Sequence, residues 1–319
     1  MQRFTELEQI PTDFGPSVVT VGNFDGAHVG HTRVMERVVQ IARDNQLASV
    51  GVSFDPHPAV VHNPNVDHVE IMGQEDRQRF FEDMGLENYV LLHYDLKFAS
   101  QTPEEFVKNV FVDALHARWV VIGDDVRFGY RNSGDLNTMI ELGKKYGFEV
   151  EAVEDLTHES QRRCSSTWIR ELLTDGKVDE AAQILGRNHL MHGEIVHGAA
   201  RGRELGFPTA NMSVDSDGFV PADGVYAGWL TDAHGNKWPV ATSIGTNPTF
   251  EGVEQRQVES FVIGRPEERV EDFNLYGQRV ILEFVQRLRP MVAYRGVEAL
   301  IEQMNQDVEQ AKEVLGLTA

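Results

Sequence analysis

The sequence predicts an α/β protein: a parallel sheet wrapped by helices in the first half, then a small β-barrel or sandwich finished by a helix. Three observations carry that expectation. Short apolar strands alternate with amphipathic helices up to Gly186, the order that builds a parallel sheet. Beyond Gly186 the chain turns into extended runs divided by glycine-rich turns, as in small all-β domains. The length of 319 residues also exceeds a single domain, at about 100–200 residues each.

In chain order, Ser17 to Val21 is expected as a buried strand. His31 to Asn45 is expected as a helix with Val34, Met35, Val38, Val39 and Ala42 on one face. Ala48 to Phe54 is the next strand expected, Gln78 to Met84 reads as helical, and Tyr89 to Leu92 as extended. Pro103 to Leu115 is expected as a helix with proline in its first turn, where a missing N–H costs little. Trp119 to Ile122 is an expected strand and Leu136 to Tyr146 an expected helix. Two short helices, Thr167 to Leu173 and Val178 to Leu185, are expected on either side of Asp175-Gly176. The extended candidates after them are Met191 to Val196, Gly224 to Leu230, Trp238 to Ile244, Gln257 to Ile263 and Gln278 to Leu288. A closing helix carries the apolar stripe Val297, Leu300, Ile301, Met304, Val308 and Ala311. The boundary is expected near 186–190, giving domains 1–186 and 187–319.

The composition narrows the function. Hydrophobic residues make up 41% and charged residues 25%, enough for sizeable cores. No apolar run approaches the ~20 residues of a membrane span, and Met1 to Glu6 lacks a signal-peptide core, so no membrane association and a cytoplasmic location are expected. A single cysteine, Cys164, fits a reducing compartment and excludes a cysteine-rich zinc site. The net charge of -21 repels nucleic-acid backbones, so no nucleic-acid partner is expected. A local pocket of amide donors and a metal ion still admits small anions. A homo-oligomer is left open.

Two separate segments are built to hold phosphate. The first runs Gly22-Asn23-Phe24-Asp25-Gly26-Ala27-His28-Val29-Gly30-His31, between a strand and a helix. Glycines let the backbone approach an anion, and the helix start supplies free N–H groups. His28 and His31, three apart, share one side of the first turn and can donate hydrogen bonds to phosphate charge as it develops. Arg163-Cys164-Ser165-Ser166-Thr167-Trp168-Ile169-Arg170 places hydroxyls between arginines at another helix start, suited to a nucleotide clamp. Phe54-Asp55-Pro56-His57-Pro58 and Gly123-Asp124-Asp125-Val126-Arg127-Phe128-Gly129 follow strands, where ligands of open α/β sheets bind.

The second segment holds Gly198, Arg201, Gly202, Arg203 and Gly206, then Phe207-Pro208-Thr209-Ala210-Asn211. A hydroxyl and a carboxamide oxygen two residues apart in an extended run share a face, and both are hard oxygen ligands suited to Mg²⁺.

These segments carry a resemblance. The Gly22-to-His31 loop resembles that of nucleotidylyltransferases. Together with the Phe54-to-Pro58 and Arg163-to-Arg170 runs, it is similar to the adenylyltransferase half of bacterial bifunctional riboflavin kinase/FAD synthetases. The Gly-Arg-Glu-Leu-Gly-Phe-Pro-Thr-Ala-Asn run resembles the riboflavin kinase signature. Asp223 to Gly228, Gly245 to Phe250, Val258 to Phe261 and Leu275 to Gly277 resemble that family's strands.

The resemblance implies a Rossmann-like nucleotidylyltransferase domain followed by a riboflavin-kinase-like antiparallel barrel with a terminal helix. It implies two reactions, riboflavin and ATP to FMN, then FMN and ATP to FAD and pyrophosphate, with Mg²⁺ accompanying ATP. By this resemblance His28 and His31 stabilise the α-phosphate. Gly22, Asn23, Gly30, Asp125, Arg163, Ser166 and Thr167 hold one ATP, and Phe54, Pro56, Pro58 and Phe128 border the flavin. Gly198, Gly202, Arg203 and Gly206 hold the other ATP, Thr209 and Asn211 hold the metal, Glu259 is the general base, and Arg289 approaches flavin. Three positions depart from the family pattern: Cys164 replaces a usual isoleucine, Val126 stands where an aromatic is common, and Asp125 is asparagine in some relatives.

Overall fold

The computed structural model describes residues 1–65, 68–154, 156–157, 161–198, 206–246, 256–264, 274–292, 294 and 296–317. The chain forms two compact units. The first comprises Met1–Val69 and Gln74–Ser165, and the second Glu70–Gly73 and Ser166–Ala319.

The first unit is a six-stranded parallel sheet. Its strands are β1 (Gln2–Phe4), β2 (Ser17–Val21), β3 (Ala48–Asp55), β4 (Asn88–His93), β5 (Ala117–Gly123) and β6 (Glu149–Val153). They lie in the order β1-β4-β3-β2-β5-β6. The helices are α1 (Val29–Asn45), α2 (Pro58–His62), α3 (Gln74–Asp83), α4 (Pro103–Phe106) and α5 (Leu136–Tyr146). Chain order runs from β2 outward to β3 and β4, then returns to β5 on β2's other side. The carboxyl ends of β2 and β5 therefore flank the switch point at which such sheets bind ligands.

Most expected elements form within a residue or two of their expected ends. α1 begins at Val29 rather than His31, and it buries Val34, Met35, Val38, Ile41 and Ala42. The expected single helix from Pro103 to Leu115 is α-helical only to Phe106 and continues as π-helix over Val107–Ala114. Val110 and Leu115, five residues apart, are both fully buried. A wider turn aligns residues at that spacing. Two strands fall outside the sequence expectation. β1 has three residues, too few to show a period, and β6 alternates glutamates with apolar residues at the sheet edge.

The second unit opens with α6 (Ser166–Thr174) and α7 (Val178–Leu185). Its strands are β7 (His189–Val196), β8 (Thr209–Met212), β9 (Gly224–Thr231), β10 (Lys237–Gly245), β11 (Gln257–Val262) and β12 (Arg279–Arg289). These close into an antiparallel barrel in the order β10-β11-β8-β7-β12-β9, which resolves the barrel-or-sandwich alternative. The terminal helix α8 (Val297–Val314) packs through Ala311 and Val308 on Ala227, Ala241 and Phe261. Of the expected stripe, Val297 is 51% exposed, because the packed face of α8 is centred on Asp307 and Ala311.

Candidate active sites

In the first unit the histidine loop leaves β2 at its carboxyl end. Phe24 and Ala27 hold φ of 49° and 43°, a left-handed backbone that non-glycine residues rarely adopt. Such strain is maintained where surrounding structure requires it, often at functional sites. His28 becomes the N-cap of α1, its Nδ1 accepting from the Gly30 N–H at 3.1 Å. That acceptor role puts the proton of a neutral ring on Nε2, leaving Nε2–H as a donor. One ring can therefore cap α1 through Nδ1 and still donate through Nε2. His31, one turn on, stacks on His28 with ring centroids 3.7 Å apart and planes 22° apart. Phe24 braces His31 edge-on at 5.2 Å. A side chain at Gly30 would come to 3.0 Å from the His28 ring, which would have to give way.

Beside this loop is a cavity of about 170 Å³. It brings together the predicted Gly22, Asn23, Phe54, Pro58 and Phe128; Pro56 is not among its lining residues. Tyr94, Phe98, Phe106, Arg127 and Asn132 also line it and were not singled out from the sequence. Phe54 meets Tyr94 at 5.5 Å and Phe98 at 5.7 Å, so the walls are aromatic. Tyr94 lies one residue past β4, and the rule that ligands sit at strand carboxyl ends was the signal available for it. Val126 lines the same cavity.

Asp125 and Arg163, both expected at the nucleotide, are joined by an ion pair at 2.5 Å. Both are about half exposed, so the pair contributes little to stability. It does offset the Asp125 carboxylate, whose charge would otherwise oppose a phosphate. Ser166 and Thr167 open α6 of the second unit, Ser166 half-buried and Thr167 exposed.

In the second unit Thr209 and Asn211 lie on β8, and Glu259 lies on β11 directly opposite Asn211. Residues paired in this way place their Cβ atoms about 4.5–5.5 Å apart on the same face. Ala210 and Ser260 occupy the other face, where Ser260 and Thr242 exchange a buried hydrogen bond of 2.9 Å. Asn211 Nδ2 donates to the Thr209 carbonyl and hydroxyl, each at 3.3 Å. Asn211 is 8% exposed, and its Oδ1 is buried without a hydrogen-bond partner among the described residues. A lone acceptor of that kind is costly unless a ligand meets it.

Gly198 passes so close that a Cβ there would fall 2.4 Å from the Asn211 carboxamide. Gly206 takes φ of 86°. Gly202 and Arg203 lie outside the described residues. Ser243, directly opposite Glu259 on β10, was not anticipated, since register is invisible in one sequence. Arg289 is neither a free surface side chain nor an open one. Its Nε and Nη2 donate to Asp307 of α8 at 2.7 Å each, and Tyr294 lies beneath the guanidinium at 5.7 Å. Its charge is strengthened: burial opposes it, but the Asp307 carboxylate outweighs burial and raises the pKa. Among the described residues, no group of three His, Cys, Asp or Glu is placed to hold a metal.

A sheet with its loops at a switch point, followed by a closed barrel with a hydroxyl, carboxamide and carboxylate on one face, defines a two-domain nucleotide-dependent enzyme. A family model for FAD synthetase matches residues 10–168, and one for riboflavin kinase matches residues 185–315. A Listeria monocytogenes protein named bifunctional riboflavin kinase/FMN adenylyltransferase is 33% identical, covering 92% of this chain and 91% of its own. An Escherichia coli K12 protein of the same name is 29% identical over 98% of this chain and 96% of its own. A Streptococcus pneumoniae crystal structure described as a macrolide-efflux protein superposes with a TM-score of 0.84 at 30% identity, covering 97% of this chain and 98% of that chain. Among the described residues, no helix here is long and apolar enough to cross a membrane. The chain belongs to the bifunctional riboflavin kinase/FMN adenylyltransferase family.

Proposed function

We propose that the two activities, riboflavin kinase and FMN adenylyltransferase, run at separate sites built from the residues above. The spans 187–319 and 1–186 are the kinase and adenylyltransferase domains in this reading, which is supported by family matches at 185–315 and 10–168. The observation that carries the site assignment is the Glu259–Asn211 register together with the unpartnered Asn211 Oδ1.

In the kinase domain, Glu259 is the general base. It takes the proton of the riboflavin 5′-hydroxyl directly or through one water. The freed oxygen bonds to the γ-phosphorus of ATP as the bond to the bridging oxygen breaks, giving FMN and ADP. Thr209 and Asn211 are the residues that would hold Mg²⁺, and the orphaned Oδ1 is an oxygen donor of the kind it prefers. Mg²⁺, when bound, neutralises charge on the transferring phosphoryl group. Gly198, Gly202, Arg203 and Gly206 hold the ATP phosphates. Arg289, anchored by Asp307, lies on the flavin side.

In the adenylyltransferase domain, an oxygen of the FMN phosphate bonds to the α-phosphorus of ATP, and pyrophosphate leaves. His28, with its proton on Nε2, and His31 donate hydrogen bonds to the charge that develops there. Gly22, Asn23, Gly30, Asp125 and Arg163 hold ATP, and Phe54, Pro56, Pro58 and Phe128 border the flavin. No covalent enzyme intermediate is needed; positioning supplies much of the rate. A single cysteine supports a cytoplasmic setting.

Incubation with riboflavin, ATP and Mg²⁺, with flavins separated by chromatography, tests the reading. FMN followed by FAD is expected. A cooperatively folded sample that makes neither rejects it.

A further inference from the structure

Among the residues lining the aromatic cavity of the first unit, one carries a formal charge: Arg127. It sits on the loop after β5, two residues past Asp125 and next to Phe128 in sequence. Other arginines are committed to carboxylates: Arg37 is bound to Glu151, Arg163 to Asp125 and Arg289 to Asp307. Arg127 makes one hydrogen bond, from Nη1 to the carbonyl of its neighbour Val126 at 2.9 Å. Among the described residues it has no ion-pair partner. Asp135 feels its charge only weakly; that carboxyl is lowered chiefly by hydrogen bonds from Thr138.

A guanidinium carries five N–H groups, so most of this one is uncommitted. In a chain of net charge -21, a cation with no ion-pair partner among the described residues, at the edge of an apolar cavity, is a place that favours an anion.

Riboflavin and FMN present the same ring system and the same polyol chain to an aromatic wall. They differ by a phosphate, which carries roughly -1.5 to -2 charges near neutrality. Neither Phe54 nor Phe128 can read that difference; an arginine can, through paired charge-assisted hydrogen bonds.

We infer that Arg127 is the specificity-determining residue of adenylyl transfer, taking the 5′-phosphate of the incoming flavin so that FMN is accepted over unphosphorylated flavin. This rests on the adenylyltransferase reading of the site. Gly22 and Asn23 of the histidine loop border the same cavity, so a phosphate held by Arg127 stays beside the loop that serves the α-phosphorus. The arrangement makes the second reaction wait for the product of the first.

The test uses the full chain with Arg127→Met and Arg127→Lys. The KM for FMN in FAD formation is compared with the Ki of lumiflavin, a flavin with neither phosphate nor phosphorylatable hydroxyl, competing in the same step. Arg127→Met should raise the KM for FMN roughly tenfold or more, as expected for loss of a charge-assisted contact, with the lumiflavin Ki little changed. Arg127→Lys should recover part of the loss. An unchanged KM overturns the inference. So does a parallel rise of KM and lumiflavin Ki, which would mean the side chain only shapes the cavity. Absence of FAD from the wild-type chain given FMN would instead remove the adenylyltransferase reading, and this inference with it.

Discussion

Glu259 and Asn211 face each other across β11 and β8, and the acceptor oxygen of Asn211 is buried with no donor among the described residues. The Gly198 backbone closes over the same carboxamide, at a distance no side chain could share. A buried acceptor left unmatched among the described residues, beside a carboxylate, is costly unless a donor or cation meets it.

Asn211→Ala should therefore raise the Mg²⁺ concentration needed for half-maximal riboflavin phosphorylation roughly tenfold or more, within the range seen when a metal site loses support. FAD formation from supplied FMN should keep its metal dependence. Titrating each activity with Mg²⁺ checks this, and an equal shift in both would remove Asn211 from the metal assignment.

The Arg289–Asp307 pair ties the barrel to its terminal helix. The side chains are 17% and 6% exposed, and both hydrogen bonds are 2.7 Å. Removing Asp307 leaves the half-buried Arg289 without its two hydrogen bonds, at a cost of about 1.5–3 kcal/mol. Asp307→Ala should lower the urea unfolding free energy of the second unit by that order. A loss below about 1 kcal/mol is what a solvated surface pair would give.

Tyr226 is fully buried, and its hydroxyl donates to the Ala222 carbonyl. Burial pushes the phenol up to about 12, against the pull of Arg287 and Arg256. The fold thus favours the neutral phenol. The resulting stability is complete below the unfolded value of about 10 and is lost as pH rises towards the folded value. The loss is on the order of 2–3 kcal/mol. Tyr226→Phe should flatten that part of the alkaline stability curve, measured by denaturant unfolding between about pH 10 and 12. Tyr89, also raised by burial, should keep some slope in the variant.

Much of this was readable from spacing alone. Buried strands such as Ser17–Val21 and Ala48–Asp55 declare themselves because both faces are covered and the apolar run is nearly continuous. Leu136–Tyr146 carries its own helix signals, Asp135 as N-cap and Gly147 as αL cap. What escaped depends on partners distant in sequence. The π-helix at Val107–Ala114 answers to packing beneath the sheet, and the edge strand Glu149–Val153 exists through pairing with β5. The histidine loop was legible because glycines and histidines sit together within ten residues. The anchoring of Arg289 was not, because Asp307 is 18 residues further on, and neither residue hints at the other. Ser243 and Tyr94 join their sites only through register and sheet order.

The central claim is that two independent sites divide the two reactions. Product analysis of two variants with matched substrates tests it most directly. His28→Ala combined with His31→Ala should still convert riboflavin to FMN and fail to form FAD. Glu259→Gln should form FAD from supplied FMN and lose riboflavin phosphorylation by roughly a hundredfold or more, the usual scale for a general base. If either change abolished both activities in protein that still unfolds cooperatively, the two reactions would share machinery and the account would be contradicted.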